Sequence, residues 1–157
     1  MYQAFLETPV GRLQLLGDDH FLYRILFSRS ISAVPGAAAV PPGHPLLNTA
    51  AAQISEYFAG TRRHFTLPLC PQGTAFQLQT WNLIRNIPYG RTRTYGELAA
   101  QLGNANKARA VGGAANKNPL PIIVPCHRVM GAGNRLTGFA GGLETKRFLL
   151  DLEHIPT

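Results

Sequence analysis

The chain is predicted to fold as mixed α/β (α+β) in two parts. Its first third alternates short apolar runs with turn residues, its second half carries apolar residues at helical spacing, and Cys70-Pro71-Gln72-Gly73 separates the two textures. With 157 residues, 45% of them hydrophobic, it has enough apolar surface to bury a core and too much to remain disordered.

The elements follow in order. YQAFLE, GRLQLLG and HFLYRILFS, set apart by Thr8-Pro9 and Gly17-Asp18-Asp19, read as an alternating antiparallel meander. Residues 34–45, VPGAAAVPPGHP, are too rich in proline and glycine for either regular element. Leu47, Ala50, Ala51, Ile54, Tyr57 and Phe58 then recur at helical spacing until Gly60, and HFTLPL returns to a strand-like texture. The boundary gives a mixed N-terminal domain, residues 1–70, and a second domain, residues 71–157. There Thr74 is placed to cap a helix whose stripe is Phe76, Trp81, Ile84 and Ile87, ended by Pro88-Tyr89-Gly90. Thr94 with Glu97 fits a capping box opening YGELAAQL, Gly103 closes that helix, and KARAVGGAA follows it. Two short helices across a tight turn make a helix-turn-helix pattern. LPIIVPCHRV then reads as extended, GAGN as a turn, RLTGF as a second extended piece, and residues 143–153 as a closing helix.

Charge is distributed unevenly. Residues 1–75 hold five arginines against four acids, and the remainder ten bases against four acids. A cationic C-terminal half favours a polyphosphate partner, although many basic proteins bind no nucleic acid, so charge leaves both readings open. Cys70 and Cys126 are too few and too far apart for a disulfide scaffold or a cysteine-rich zinc site, so no metal is expected. The N-terminus lacks an export pattern and no apolar run approaches the roughly 20 residues of a membrane span, which points to a reducing, cytoplasmic location without membrane contact. Cys70 has no charged neighbour to activate it and reads as incidental, while His20, His44, His64 and His154 show no ligand spacing and read as surface or loop residues.

IIVPCHRV is different. A thiol followed at once by an imidazole and a guanidinium is poorly explained as core filling, and well explained as a nucleophile with a base beside it. Arg128 reads as a structural fork to a carboxylate or carbonyls. In KARAVGGAA, residues such as Ala108 and Gly112 offer almost nothing to read base edges in a major groove, and small residues also suit close packing in a core. Arg109 stands out as one long cation among small residues, an arrangement that lets a helix settle into a minor groove while one side chain enters the base stack.

RAVGGAANKNPLPIIVPCHRVMG, with TYGELA before it and LTGFAGGLETKRFLL after it, resembles the O6-alkylguanine-DNA alkyltransferases, or methylated-DNA-protein-cysteine methyltransferases, over residues 73–153. The resemblance implies a ribonuclease-H-like N-terminal domain followed by a winged helix-turn-helix domain. It implies DNA repair by single-turnover transfer of an alkyl group from O6 of guanine, or O4 of thymine, to Cys126, with no cofactor. His127 and Glu153 would complete a nucleophile, base and orienter series, Asn118 would brace the turn beneath the thiol, and Tyr95 would rotate the target phosphate and protonate the leaving base. Arg109 would fill the gap in the base stack, with Ala108, Gly112 and Tyr95 against the DNA. Pro121, Val129 and the 138–142 loop, including Ala140 and Gly141, would form the alkyl pocket. Ala140 stands where the family often has serine, which bears on lesion preference. The implied partner is double-stranded DNA containing O6-alkylguanine, bound through the minor groove with base flipping by a monomer. Two other functions fit parts of the pattern: a cysteine hydrolase, from the adjacent Cys-His, and a non-catalytic binder of alkylated DNA, against which the presence of Cys126 speaks.

Overall fold

The computed structural model describes residues 1–31, 33–39 and 44–157. The chain forms two compact units, Met1–Gln72 and Gly73–Thr157.

In the first unit β1 (Tyr2–Thr8), β2 (Gly11–Gly17) and β3 (Leu22–Leu26) form the expected meander, with β1 and β2 in register from Tyr2↔Gly17 to Thr8↔Gly11. The sheet order is β3-β2-β1-β4, because β4 (Ala38–Ala39) pairs parallel with β1. Residues 34–45 were expected to hold no regular element; β4 departs from that, since two alanines satisfy the free edge of β1, and residues 40–43 lie outside the described residues. Strand β2 does not alternate either. It is central, so Leu13 through Gly17 are all buried, and buried Gln14 spends its amide on the Gln3 side chain at 2.9 Å.

Helix α1 (Pro45–Phe58) packs Leu47, Ala50, Ile54 and Tyr57 against β1 and β2. His44 corrects the surface-or-loop reading: it is buried as the N-cap of α1, its Nδ1 accepting from Leu47 N and its Nε2 lying 3.2 Å from Asp19 Oδ1. HFTLPL is not a strand. Pro68 has no N–H to give a ladder, and Thr66 is held by the Gln53 side chain through two hydrogen bonds, which leaves one parallel bridge between Leu22 and Leu69.

In the second unit α2 (Ala75–Arg85) opens with a full capping box between Thr74 and Gln77 and buries Trp81 and Ile84. Helix α3 (Tyr95–Gln101) is capped by Thr94 accepting from Glu97 N, without the reciprocal bond that a capping box requires. A single 3₁₀ turn joins it to α4 (Ala108–Asn116), and α5 (Leu143–Leu152) ends the unit. The remaining regular element is a small parallel sheet, β5 (Arg93–Thr94) beside β6 (Val129–Met130).

LPIIVPCHRV was expected to be extended and is mostly turn. Pro121 and Pro125 lack ladder donors, Val124 N returns to Leu120 O at 2.8 Å, and Cys126–Arg128 form a 3₁₀ turn before β6. RLTGF likewise pairs only at Arg135, which closes the expected GAGN turn onto Gly131. A Cβ on Gly131 would come within 3.1 Å of Thr137 Cγ2 and 3.3 Å of Arg135 O, so glycine allows that closure. Among the described residues, no helix is long and apolar enough to cross a membrane.

Candidate active site

The nucleophile's position is built by the turn before it. Asn118 donates from Nδ2 to Val124 O at 2.8 Å and accepts at Oδ1 from Leu120 N at 3.0 Å, bracing both sides of a loop in which buried Ile122 has φ 76°. A β-branched residue in the left-handed region costs on the order of 1–3 kcal/mol, and this turn over-determines it.

Cys126 is 6% exposed. Burial pushes its thiol up to about 11, opposed by Asn118, the charge of Lys146 and the backbone amides of Cys126 and His127. The resting sulfur is therefore a thiol at neutral pH.

Behind it lies a fully connected ionic network. His127 Nε2 is 2.6 Å from Glu153 Oε2. Arg128 donates from Nε to Glu153 Oε1 at 2.8 Å, from Nη2 to Oε2 at 3.1 Å and from Nη1 to Ile87 O at 2.7 Å, which is the fork its sequence position led us to expect. The Gly90 amide adds a bond to Oε1 at 3.2 Å. Burial alone would raise the Glu153 carboxyl, but the hydrogen bonds and charges of His127 and Arg128 outweigh it and hold the group at about 2. Burial likewise lowers His127, against the pull of Glu153. A carboxylate can only accept, so Nε2 carries the ring proton and Nδ1 is left as the acceptor of a neutral imidazole.

The pairing of β5 with β6 brings the helix-turn-helix to this thiol. Thr94 lies opposite Met130, so Tyr95 starts α3 beside the strand that follows the nucleophile. Tyr95 is half-buried; burial raises its phenol, and Cys126 raises it further. Gly112 of α4 lies under its ring, where a Cβ would sit 3.8 Å from the ring carbons. Ala108 and Gly112 are half-buried, whereas Arg109, Ala110, Gly113 and Asn116 form the exposed face of α4. Trp81 Nε1 donates to Ala114 O at 2.8 Å and fastens α4 to α2. Pro121, Val129 and Gly141 are buried, and Ala140 is exposed. A cavity of about 260 Å³ lined by Leu83, Asn86, Ile87, Arg93, Leu98 and Gln101 includes none of these residues. Among the described residues, no group of three or more His, Cys, Asp or Glu side chains could hold a metal ion.

Lys146 escaped the sequence reading. It is fully buried and donates to Val129 O at 2.6 Å and Thr137 O at 2.7 Å. The signal was its place in the inward stripe 146, 149, 150, 153, whose other members are two leucines and the network's glutamate.

Fold and site together define a cysteine-centred helix-turn-helix domain that follows a small mixed domain along the chain. Residues 75–155 match the 6-O-methylguanine DNA methyltransferase DNA-binding domain, and residues 1–71 match the ribonuclease-like domain of the same family. The chain is 45% identical over 153 residues to a methylated-DNA–protein-cysteine methyltransferase of Methanosarcina acetivorans, covering 98% of each. It is 41% identical over 158 residues to the constitutive methylated-DNA–protein-cysteine methyltransferase of Bacillus subtilis, covering 98% of this chain and 96% of the relative. A crystal structure of Mycobacterium tuberculosis OGT in complex with DNA superposes with a TM-score of 0.90 at 39% identity, covering 100% of this chain and 96% of that one. The chain belongs to the 6-O-methylguanine DNA methyltransferase family.

Proposed function

We propose that this protein repairs alkylated DNA by moving an alkyl group from O6 of guanine to Cys126, once per protein molecule, and that residues 71–157 carry both DNA binding and transfer. The observation that carries the reading is a nearly buried thiol on a turn braced by Asn118, one residue before an imidazole oriented by Glu153.

The thiol gives its proton to Nδ1 of His127, directly or through a water, and the imidazolium so formed is stabilised by Glu153. Sγ then attacks the alkyl carbon. The S–C bond forms, the C–O6 bond breaks, and the electron pair of that bond leaves with the guanine. Tyr95, whose raised phenol keeps its proton at neutral pH, supplies a proton to the departing base. The thioether product has no hydrolysable bond, so the protein is consumed.

The exposed face of α4 supports a minor-groove approach to double-stranded DNA: Ala110 and Gly113 keep the surface low, and Arg109 projects from it to fill the gap left by a flipped nucleotide. Flipping costs a few kcal/mol, least for a badly paired base, which favours O6-alkylguanine. Pro121, Val129, Ala140 and Gly141 line the alkyl pocket, and Ala108 and Gly112 support the DNA-facing surface. The protein acts as a monomer in the cytoplasm, without a cofactor.

Intact mass spectrometry after incubation with O6-methylguanine DNA tests this. One added methyl is expected, mapped to Cys126; repeated turnover by one molecule would identify a hydrolase instead. Cys126→Ala is expected to keep lesion binding and lose transfer. Arg109→Ala is expected to slow transfer from duplex DNA far more than from free benzylated guanine, and equal losses would remove its role in flipping.

A further inference from the structure

Pro88-Tyr89-Gly90 stops the helical pattern of α2, and the structure gives the same residues a second task that the steps above do not use. Arg91 N closes a turn onto Pro88 O at 3.1 Å, with Gly90 at φ 79° in its third position, a conformation glycine takes without strain. Contacts from this turn reach the ionic network on two sides. The Tyr89 ring lies against the Arg128 guanidinium, with Cζ 5.6 Å from the ring centroid. Its hydroxyl donates to the carbonyl of Leu152, the last residue of α5, at 3.4 Å, and the Gly90 amide donates to Glu153 Oε1 at 3.2 Å. Glu153 Oε2 is shared between His127 Nε2 at 2.6 Å and Arg128 Nη2 at 3.1 Å, so a tilt of the guanidinium would carry the carboxylate away from the imidazole. Glu153 and Ile87 O fix the edge of the guanidinium, which leaves its tilt to whatever lies on its faces. The Tyr89 ring occupies one face, and Arg128 is only 5% exposed, so the cation meets the ring out of water.

We propose that Tyr89 is a positioning residue of alkyl transfer: its ring fixes the plane of Arg128, Arg128 and the Gly90 amide fix the Glu153 carboxylate, and that carboxylate aims the His127 imidazole at Cys126. The proposal rests on the alkyl-transfer reading of Cys126. Tyr89 acts through Arg128 and Glu153, not on the reacting atoms. Its ring carries more of the effect than its hydroxyl, because a hydrogen bond at 3.4 Å is long and weak, whereas the negative face of the ring meets a desolvated cation. Substitution separates the two: phenylalanine keeps the ring and drops the hydroxyl, and leucine keeps apolar bulk and drops the ring's charge distribution.

The test measures single-turnover transfer from O6-methylguanine DNA in the full chain carrying Tyr89→Leu or Tyr89→Phe, together with the proton NMR signal of the His127–Glu153 hydrogen bond. Tyr89→Leu is expected to slow transfer at saturating DNA about tenfold with the half-saturating DNA concentration unchanged, and Tyr89→Phe to stay within about threefold of the parent. The downfield signal of the proton on His127 Nε2 is expected to move upfield in Tyr89→Leu and to hold its position in Tyr89→Phe. A folded Tyr89→Leu protein with the parent's rate overturns the proposal, and so does a loss confined to DNA affinity, an unmoved His127 signal, or a loss that Tyr89→Phe shares in full. If Tyr89→Leu fails to fold, Tyr89→pentafluorophenylalanine removes the negative ring face while keeping the shape of the ring. Transfer is then expected to be slower than in Tyr89→Phe, and an equal rate overturns the proposal. The NMR measurement needs no DNA. Failure of the alkyl-transfer reading shows separately, as an unmethylated Cys126 in the parent protein.

Discussion

Helix α1 lays Leu47, Ala50, Gln53, Ile54 and Tyr57 against the N-terminal sheet, whereas α5 turns Lys146, Leu149 and Leu150 inward and, one residue past its end, Glu153. Both are amphipathic helices of ordinary length. The acid of α1, Glu56, pairs with Arg62 at 3.4 Å while 45% exposed, but Glu153 pairs with Arg128 at 2.8 Å with its side chain fully buried. An all-apolar replacement of the whole Glu153–Arg128–His127 network would hold the fold as well or better, because desolvating ions offsets much of their attraction, whereas removing one partner alone leaves a buried charge uncompensated. The presence of these ions beside Cys126 marks where the chain departs from the most stable packing in order to place charge.

Four measurements sharpen or break this contrast. Glu153→Gln removes the charge that compensates Arg128 and is expected to cost about 3–5 kcal/mol in denaturant unfolding. A cost near zero would mean that the network is not desolvated. Ile54→Ala in α1 and Leu150→Ala in α5 are each expected to cost about 2–5 kcal/mol, since both side chains are fully buried. A much cheaper Leu150→Ala would show that charge rather than apolar burial holds α5 in place.

The acid limb of stability should also belong to α5. Glu153 sits at about 2 in the folded chain against an ordinary 4.5, so its contribution is complete above about 4.5 and is lost as pH falls towards 2. Melting profiles across that window are expected to lose part of their slope in Glu153→Gln. The smallest effect is that of Glu56→Gln, under about 1 kcal/mol at neutral pH, because solvent screens the pair.

Much of the site was legible before the structure because its signals are local. PCHR places thiol, imidazole and guanidinium fork in consecutive positions, and the resemblance pointed to Asn118, eight residues earlier, as the brace of the turn that carries them. The apolar run that leads to Cys126 was misread as a strand because pattern alone does not tell a buried turn from a buried strand. Pro121 and Pro125 were the available warning. Lys146 was passed over because a lysine on a helix usually faces water, and only its register with Leu149 and Leu150 marks it as internal. His44 was passed over for a related reason: a histidine at the end of a proline-rich loop reads as exposed until the helix it caps is in place.

By itself the sequence determined the meander, the stripe of α1, the cap at Thr74 and the identity of the nucleophile, since each depends on neighbours within a few residues. Only the tertiary structure decided that Tyr95 stands beside the strand after Cys126, that Glu153 closes on His127 and Arg128 from 26 and 25 positions away, and that Lys146 spans Val129 and Thr137. Those pairings form between segments with no local preference for one another. Burial of α5 and closure of the β5–β6 pair bring their polar groups into a space without water, where each must find a partner on the chain.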